Sequence, residues 1–258
     1  MSASPTSSFP RAAISPDTAS SPGRAVVGFD TATADTAVAV RRGEEALHEA
    51  LLGLSEKGGP QHTTALLAEI ERAVDAAGGW PEVGRIAVGI GPGSFTGLRV
   101  GIATAKALGL SRGLPLSGVG TLDALARGLG EAAGDRPRLV VLDARRGEVA
   151  SALYGVSGEP AWGPELSSPE ELAERIAALP EPVLCGGSGA VRFRQQLTSG
   201  AVEIPDDADP VHRVLARHIC ALAAAGRGED ESGTIAPIYL RPPDAKRWRE
   251  RDSLQAAE

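Results

Sequence analysis

A chain of 258 residues with 42% hydrophobic content is long enough to bury a large core, either as one large domain or as two lobes. Its formal charge of -7 sets the surface as a whole against a general nucleic-acid binder. No apolar run approaches the roughly 20 residues that cross a bilayer, the first two dozen residues lack a basic start and an apolar centre, and Cys185 and Cys220 read as reduced thiols; a cytoplasmic protein with no membrane contact is expected.

Residues 1–24 are rich in serine and proline and cannot bury enough apolar surface to offset the entropy of ordering, so a disordered tail is expected. Two apolar runs, Ala25 to Phe29 and Thr36 to Val40, flank turn residues and predict a β-hairpin with Asp30 at its tip. From His62, the residues Leu66, Leu67, Ile70, Val74 and Ala77 recur at helical spacing until Gly78, Gly79 and Pro81. A buried strand, Arg85 to Ile90, then enters the loop Gly91-Pro-Gly-Ser-Phe-Thr-Gly97 and a helix from about Leu98 to Leu110.

A second series opens with a helix from Thr121 to Leu129 and a strand from Arg138 to Leu142, which leads through Asp143 and a turn into a strand from Glu148 to Tyr154. Ser168, Pro169 and Glu171 predict a capping box, and Asp209-Pro210 opens a helix expected to run to about Gly226. Between them a short strand, Val183 to Cys185, enters Gly186-Gly-Ser-Gly189. A strand, an aspartate and a hairpin thus occur once in each half, which suggests two similarly built lobes.

The glycine loop resembles a phosphate cradle only in composition. Gly91, Gly93 and Gly97 are separated by two and four positions where a dinucleotide fingerprint needs two and three, and no lysine stands in the P-loop position. A structural loop is the favoured reading: a tight turn with Ser94 or Thr96 capping the next helix. Asp30 and Asp143 are candidates for the phosphate- or metal-orienting aspartates of an actin-like ATPase, and Gly187 for a contact to adenosine, against ordinary turn and strand-end roles. Neither hairpin tip carries the glycine that would let backbone approach phosphate closely. The four histidines, His48, His62, His212 and His218, form no H-E-x-x-H and no i, i+4 pair, and no G-x-S-x-G elbow exists, so neither a metal site nor a catalytic residue is expected.

The helix from Leu98 to Leu110 is apolar or small almost all round apart from Arg99 and Lys106, and such a helix must be covered almost all round. Gly101, Ala105 and Gly109 would admit a second helix at close range. With the preceding helix, this offers an apolar face built from His62, Leu66, Leu67, Ile70, Val74, Val100, Ala103, Thr104 and Ala107; burial inside the monomer competes equally. The segment from Pro237 to Arg251 is locally basic and reads as a solvated terminal helix.

These residues resemble the TsaB (YeaZ) family, which serves the bacterial synthesis of threonylcarbamoyladenosine in tRNA. The pieces that carry the resemblance are Phe29-Asp-Thr-Ala-Thr33, Gln61-His62, the long stretch from Gly89 to Lys106, Gly118 to Leu122, Leu142 to Glu148 and Pro237 to Arg241, spread over about Ala25 to Lys246. The resemblance implies an α/β, actin-like, ribonuclease-H-like fold, with a first lobe over residues 25–117, a second over 118–236 and a terminal segment over 237–258. It implies a non-catalytic subunit that binds a TsaD-type catalytic subunit through the two helices, together with a TsaE-type ATPase, meets tRNA only through the complex and pairs with a second copy of itself when alone. No cofactor is implied, with residual nucleotide binding left open. A nucleotide-binding ATPase and a metallopeptidase-like protein are the alternatives, distinguished by calorimetry with ATP and by metal analysis.

Overall fold

The computed structural model describes residues 23–55, 59, 61–198, 201–228 and 235–241. The expected disordered start lies almost wholly outside these residues, as does most of the terminal segment.

Among the described residues the chain forms two five-stranded sheets of one topology. In the first lobe, β1 (Ala25–Asp30), β2 (Thr36–Arg42) and β3 (Glu45–Leu52) form an antiparallel meander. The chain continues through α1 (His62–Ala76), β4 (Val83–Gly89), α2 (Phe95–Arg112) and β5 (Leu116–Val119), with β4 and β5 parallel to β1, for a spatial order β3-β2-β1-β4-β5. After α3 (Thr121–Ala133) the pattern repeats. The strands β6 (Arg138–Asp143), β7 (Val149–Tyr154) and β8 (Pro160–Ser167) are antiparallel, while β9 (Val183–Gly186) and β10 (Val202–Glu203) extend the sheet in parallel from β6. Their order, β10-β9-β6-β7-β8, is that of the first sheet with β6 in the place of β1. The helices α4 (Pro169–Ala177), α5 (Ser188–Arg192) and α6 (Arg194–Leu197) belong to this lobe, and α7 (Ala216–Ala224) follows it. This duplicated α/β arrangement is the actin-like, ribonuclease-H-like fold.

Alternation along the strands explains the layering. In β1, Ala25, Val27 and Phe29 pack with Leu66, Ile70, Val74 and Ile102 under α1 and α2, whereas Gly28 faces α7, where a Cβ would stand 2.6 Å from Cys220 Sγ. In β6, Val140 and Leu142 join Leu122, Leu125 and Leu129 of α3 and Ile219 of α7, while Leu139 and Val141 face Leu172 and Ile176 of α4. The central pair α3 and α7 is therefore sandwiched between the sheets. Each fully buried leucine or isoleucine in these clusters contributes about 1.5–3 kcal/mol relative to exposure.

Several expectations are corrected. The boundary placed between residues 117 and 118 cuts through β5, and α7, assigned to the second lobe, packs on β1 and β2 of the first. Asp30 is the buried last residue of β1, and the turn lies beyond it at residues 31–35. The helix expected from Asp209 to Gly226 is broken. Pro210–His212 is a single 3-10 turn capped by the Asp209 carboxylate, which accepts from Val211 N at 3.0 Å, and Arg213 and Leu215 are extended before α7 starts. Residues 237–241 of the terminal segment are not helical, and Ile238 N donates to Ile90 O at 2.7 Å. The capping box at Ser168 and Glu171 forms in both directions, at 3.1 and 2.9 Å.

Candidate functional site

Three places collect the residues singled out by the sequence. The first is the end of β1. Asp30 accepts from Thr121 Oγ1 at 2.8 Å and from Ala32 N at 2.7 Å and is 1% exposed. Burial pushes its carboxyl above the ordinary carboxylate range, against the pull of those hydrogen bonds. Thr121 Oγ1 also accepts from Gly91 N at 3.1 Å, and Thr121 N donates to Gly91 O at 2.8 Å, so the first residue of α3 ties Asp30 to the glycine loop.

That loop is pressed onto the β1–β2 turn. Ser94 N donates to Ala32 O at 2.6 Å, and Thr31 Oγ1 donates to Gly97 O at 2.7 Å. A Cβ on Gly93 would overlap the carbonyl oxygen of Ala32, and one on Gly97 that of Thr31. Ser94, not Thr96, caps α2, accepting from Gly97 N at 3.2 Å. The concavity that glycines open is thus filled by the chain's own backbone.

The second place is the corresponding end of β6. Asp143 Oδ1 accepts from Arg145 N at 2.9 Å, and Oδ2 pairs with Arg192 at 2.7 Å. Gly187, at φ 112°, donates to His212 Nδ1 at 3.2 Å, and a Cβ there would overlap Val141 O. Asp30 and Asp143 hold equivalent topological positions, one sealed and the other beside guanidinium groups.

The third place is the outer face of α1 and α2. Leu67, Ala103, Thr104, Ala107, Leu108 and Ser111 line an apolar groove of about 540 Å³, with Leu67 60% exposed and Leu110 beyond it 89% exposed. The stripe inferred for this face is split by the structure. His62, Leu66, Ile70 and Val74 are buried within the monomer, and Val100 is half-buried against the same core. His62 shares a 2.8 Å hydrogen bond between its Nδ1 and Thr36 Oγ1, and burial lowers its pKa. Gly101 and Gly109 admit no second helix: they face Thr31 and Leu116 of the chain's own sheet. Leu108 and Ser111 went unnoticed in the sequence, although they continue the helical row of Thr104 at i+4 and i+7. Among the described residues no three His, Cys, Asp or Glu side chains converge as a metal-binding group.

A model of the family described as TsaD, tRNA N6-adenosine threonylcarbamoyltransferase, matches residues 55–196. The tRNA threonylcarbamoyladenosine biosynthesis protein TsaB of Escherichia coli is 34% identical over 134 residues, half of this chain and 58% of that one. A crystal structure of a Pseudomonas aeruginosa protein described as similar to the peptidase YeaZ superimposes with a TM-score of 0.69 at 25% identity, covering 84% of this chain and all of that one. The chain belongs to the TsaB (YeaZ) family. Another relative, an uncharacterised protein of Mycobacterium tuberculosis, is 36% identical over 226 residues, 86% of this chain and 93% of its own. The family model begins shortly before α1 and ends in α6, so it takes in the grooved helices, the glycine loop and the Asp143 turn. No helix among the described residues of this TsaB-family chain is long and apolar enough to cross a membrane.

Proposed function

We propose that this chain is a non-catalytic subunit of the machinery that makes N6-threonylcarbamoyladenosine at position 37 of tRNA. It binds a TsaD-type catalytic subunit through the groove between α1 and α2, works with a TsaE-type ATPase, meets tRNA within the complex and pairs with a second copy when alone. Membership of the TsaB family supports the role in this biosynthesis. The observation that carries the docking surface is the groove itself, in which Leu67 and the small residues of α2 are left open to solvent beside a fully packed core. The proposal includes no cofactor: the Asp30 carboxylate is occupied by Thr121 and Ala32, and the loop glycines by residues 31 and 32.

Co-expression with the TsaD-type subunit of the same organism, followed by size-exclusion chromatography, tests the surface. Leu67→Asp and Ala103→Arg bury a charge at such an interface and should weaken the heterodimer by about 2–4 kcal/mol, roughly 30- to 1,000-fold in Kd, with unchanged melting temperature. Leu66→Asp is uninformative, because it places the charge in the monomer's own core. Two variants that bind the catalytic subunit as the parent does would refute the assigned face, and tRNA modification by this chain alone would refute the non-catalytic role.

A further inference from the structure

The face that holds the groove is oppositely charged at its two ends. Strands β3, β1, β4 and β5 all run one way. Helices α1 and α2 each lead back from the end of one such strand to the start of the next, so they share a direction. Leu67 of α1 lies level with Ala103 to Ser111 of α2 across the groove. Arg99, one turn before Ala103 on α2, therefore stands at one end of the face. Glu71 and Asp75, one and two turns beyond Leu67 on α1, stand at the other end, about 18 Å away along the helices for Glu71. All three residues are exposed. Among the described residues neither Glu71 nor Asp75 has an ion-pair partner, the neighbouring Arg72 being taken by the buried Glu69. Arg99 makes no ion pair either; its guanidinium lies over the Phe95 ring at 3.7 Å, and Tyr239 backs that ring with centroids 5.2 Å apart. α2 contains no acidic residue, and its other cations are Lys106 at mid-length and Arg112, which stacks on Trp80.

Opposite charges at the two ends make the face complementary to itself. A two-fold axis lying across the middle of the groove sets each end of one copy against the opposite end of the other, and every contact occurs twice. The apolar middle, Leu67 with Ala103 and Ala107, then closes on its own counterpart. Within one copy the ends are separated by more than the roughly 10 Å over which exposed charges act at 0.1 M salt, so they gain little from each other until a second copy arrives. An alignment with like ends together would set arginine against arginine and carboxylate against carboxylate, which disfavours it. Given the self-pairing proposed above, we infer that two copies dock crosswise through the groove, with Arg99 of each copy paired to Glu71 and Asp75 of the other. These three residues set the register of the dimer and select a second copy as the occupant of the face.

Sedimentation equilibrium of the full chain alone, at low and high salt, tests the alignment. Leu67→Asp locates the contact in the groove and should yield a monomer. Arg99→Glu, and separately the double variant Glu71→Lys with Asp75→Lys, each bring like charges together at both ends of the dimer. Either should weaken self-association by about tenfold or more at low salt, with a smaller effect at about 0.5 M, where screening is strong. Mixed with each other, those two variants should form a mixed dimer within about threefold of the parent's affinity, because each end again unites opposite charges. A variant that merely disturbed its own fold would not recover in the mixture. Parental affinity of both charge variants, with Leu67→Asp monomeric, would leave the groove as the interface and overturn the charge alignment; so would a mixture that fails to recover. Dimerisation of Leu67→Asp as in the parent would overturn the assigned face and the inference with it. A parent that stays monomeric throughout would overturn the self-pairing itself, and with it this use of the face, whatever its affinity for the TsaD-type subunit.

Discussion

Replacing Gly97 by alanine distinguishes a loop that latches the fold from one that cradles a ligand. The added methyl overlaps the carbonyl oxygen of Thr31, which belongs to the turn held by the buried Asp30, and it forces apart the 2.7 Å hydrogen bond from Thr31 Oγ1 to Gly97 O. Overpacking a rigid backbone contact costs about 1–3 kcal/mol and the lost hydrogen bond about 1 kcal/mol more. Alanine recovers up to about 1 kcal/mol of helix propensity in the first turn of α2, leaving a net loss of about 1–3 kcal/mol. At a urea m-value of about 3 kcal/mol/M for a chain of this size, the midpoint should fall by about 0.3–1 M. Gly53→Ala is the control, since its methyl would meet nothing closer than 3.8 Å, and it should stay within about 0.5 kcal/mol of the parent. A Gly97→Ala protein as stable as the control, but altered in nucleotide affinity by calorimetry, would refute the latch and restore the phosphate reading.

Four further outcomes are expected. Leu66→Ala opens a cavity beneath α1 and should cost about 2–5 kcal/mol by chemical denaturation, whereas Leu67→Ala, on the open groove, should cost far less. Thr121→Val removes a donor to Asp30 and the acceptor of Gly91 N, for about 2–4 kcal/mol. Because the folded pKa of Asp30 is already raised and this loss raises it further, stability is lost as pH climbs through that value, and the variant's deficit should be larger at pH 8 than at pH 4. Burial holds His218 at a pKa of about 4, so the folded state resists the proton that the unfolded chain takes up near 6.5; stability is complete above that pH and falls below it, by about 2 kcal/mol at pH 5, a loss that a His218→Gln variant should not show in pH-dependent denaturation. The thiols of Cys185 and Cys220, both buried and pushed up to about 12, should react with a thiol reagent only at the rate of unfolding.

What was legible in the sequence is what local chemistry decides. The alternating runs that became β1, β2, β4 and β6, the helical row of α1 and the capping box of α4 needed no tertiary information. β3 was missed because Glu-Ala-Leu-His-Glu-Ala-Leu-Leu is composed of helix formers; it is a strand because it pairs with β2 through the turn at Gly43 and is anchored to α1 by His48 and the buried Glu69 at 2.6 Å. The error on the α1 face was of another kind. Periodicity says which residues share a side, but not which side the rest of the molecule covers, and Leu66 and Leu67, adjacent in sequence, point into the core and into solvent. On α2, small residues signalled close approach correctly, but by the chain's own turn at Thr31 and strand at Leu116. Phe95 and Tyr239, far apart in sequence, meet where the segment that holds Ile238 returns to Ile90 just beyond β4.

The duplicated topology sharpens the functional argument, because it allows the two halves to be compared position by position. The ends of β1 and β6 are topologically equivalent, and a phosphate group bound at either would need backbone amides that are free to turn toward it. The end of β1 is closed from within: Thr121 donates to the Asp30 carboxylate, and the carbonyls of Thr31 and Ala32 occupy the space above the loop glycines. At the end of β6, Asp143 instead accepts from Arg145 N and pairs with Arg192. Among the described residues the non-glycine positive φ angles fall at Arg145 and Arg146, and an open apolar groove runs along α1 and α2. Thr121→Val, which removes the hydroxyl that joins Asp30 to the glycine loop, should therefore lower stability without creating affinity for nucleotide by calorimetry.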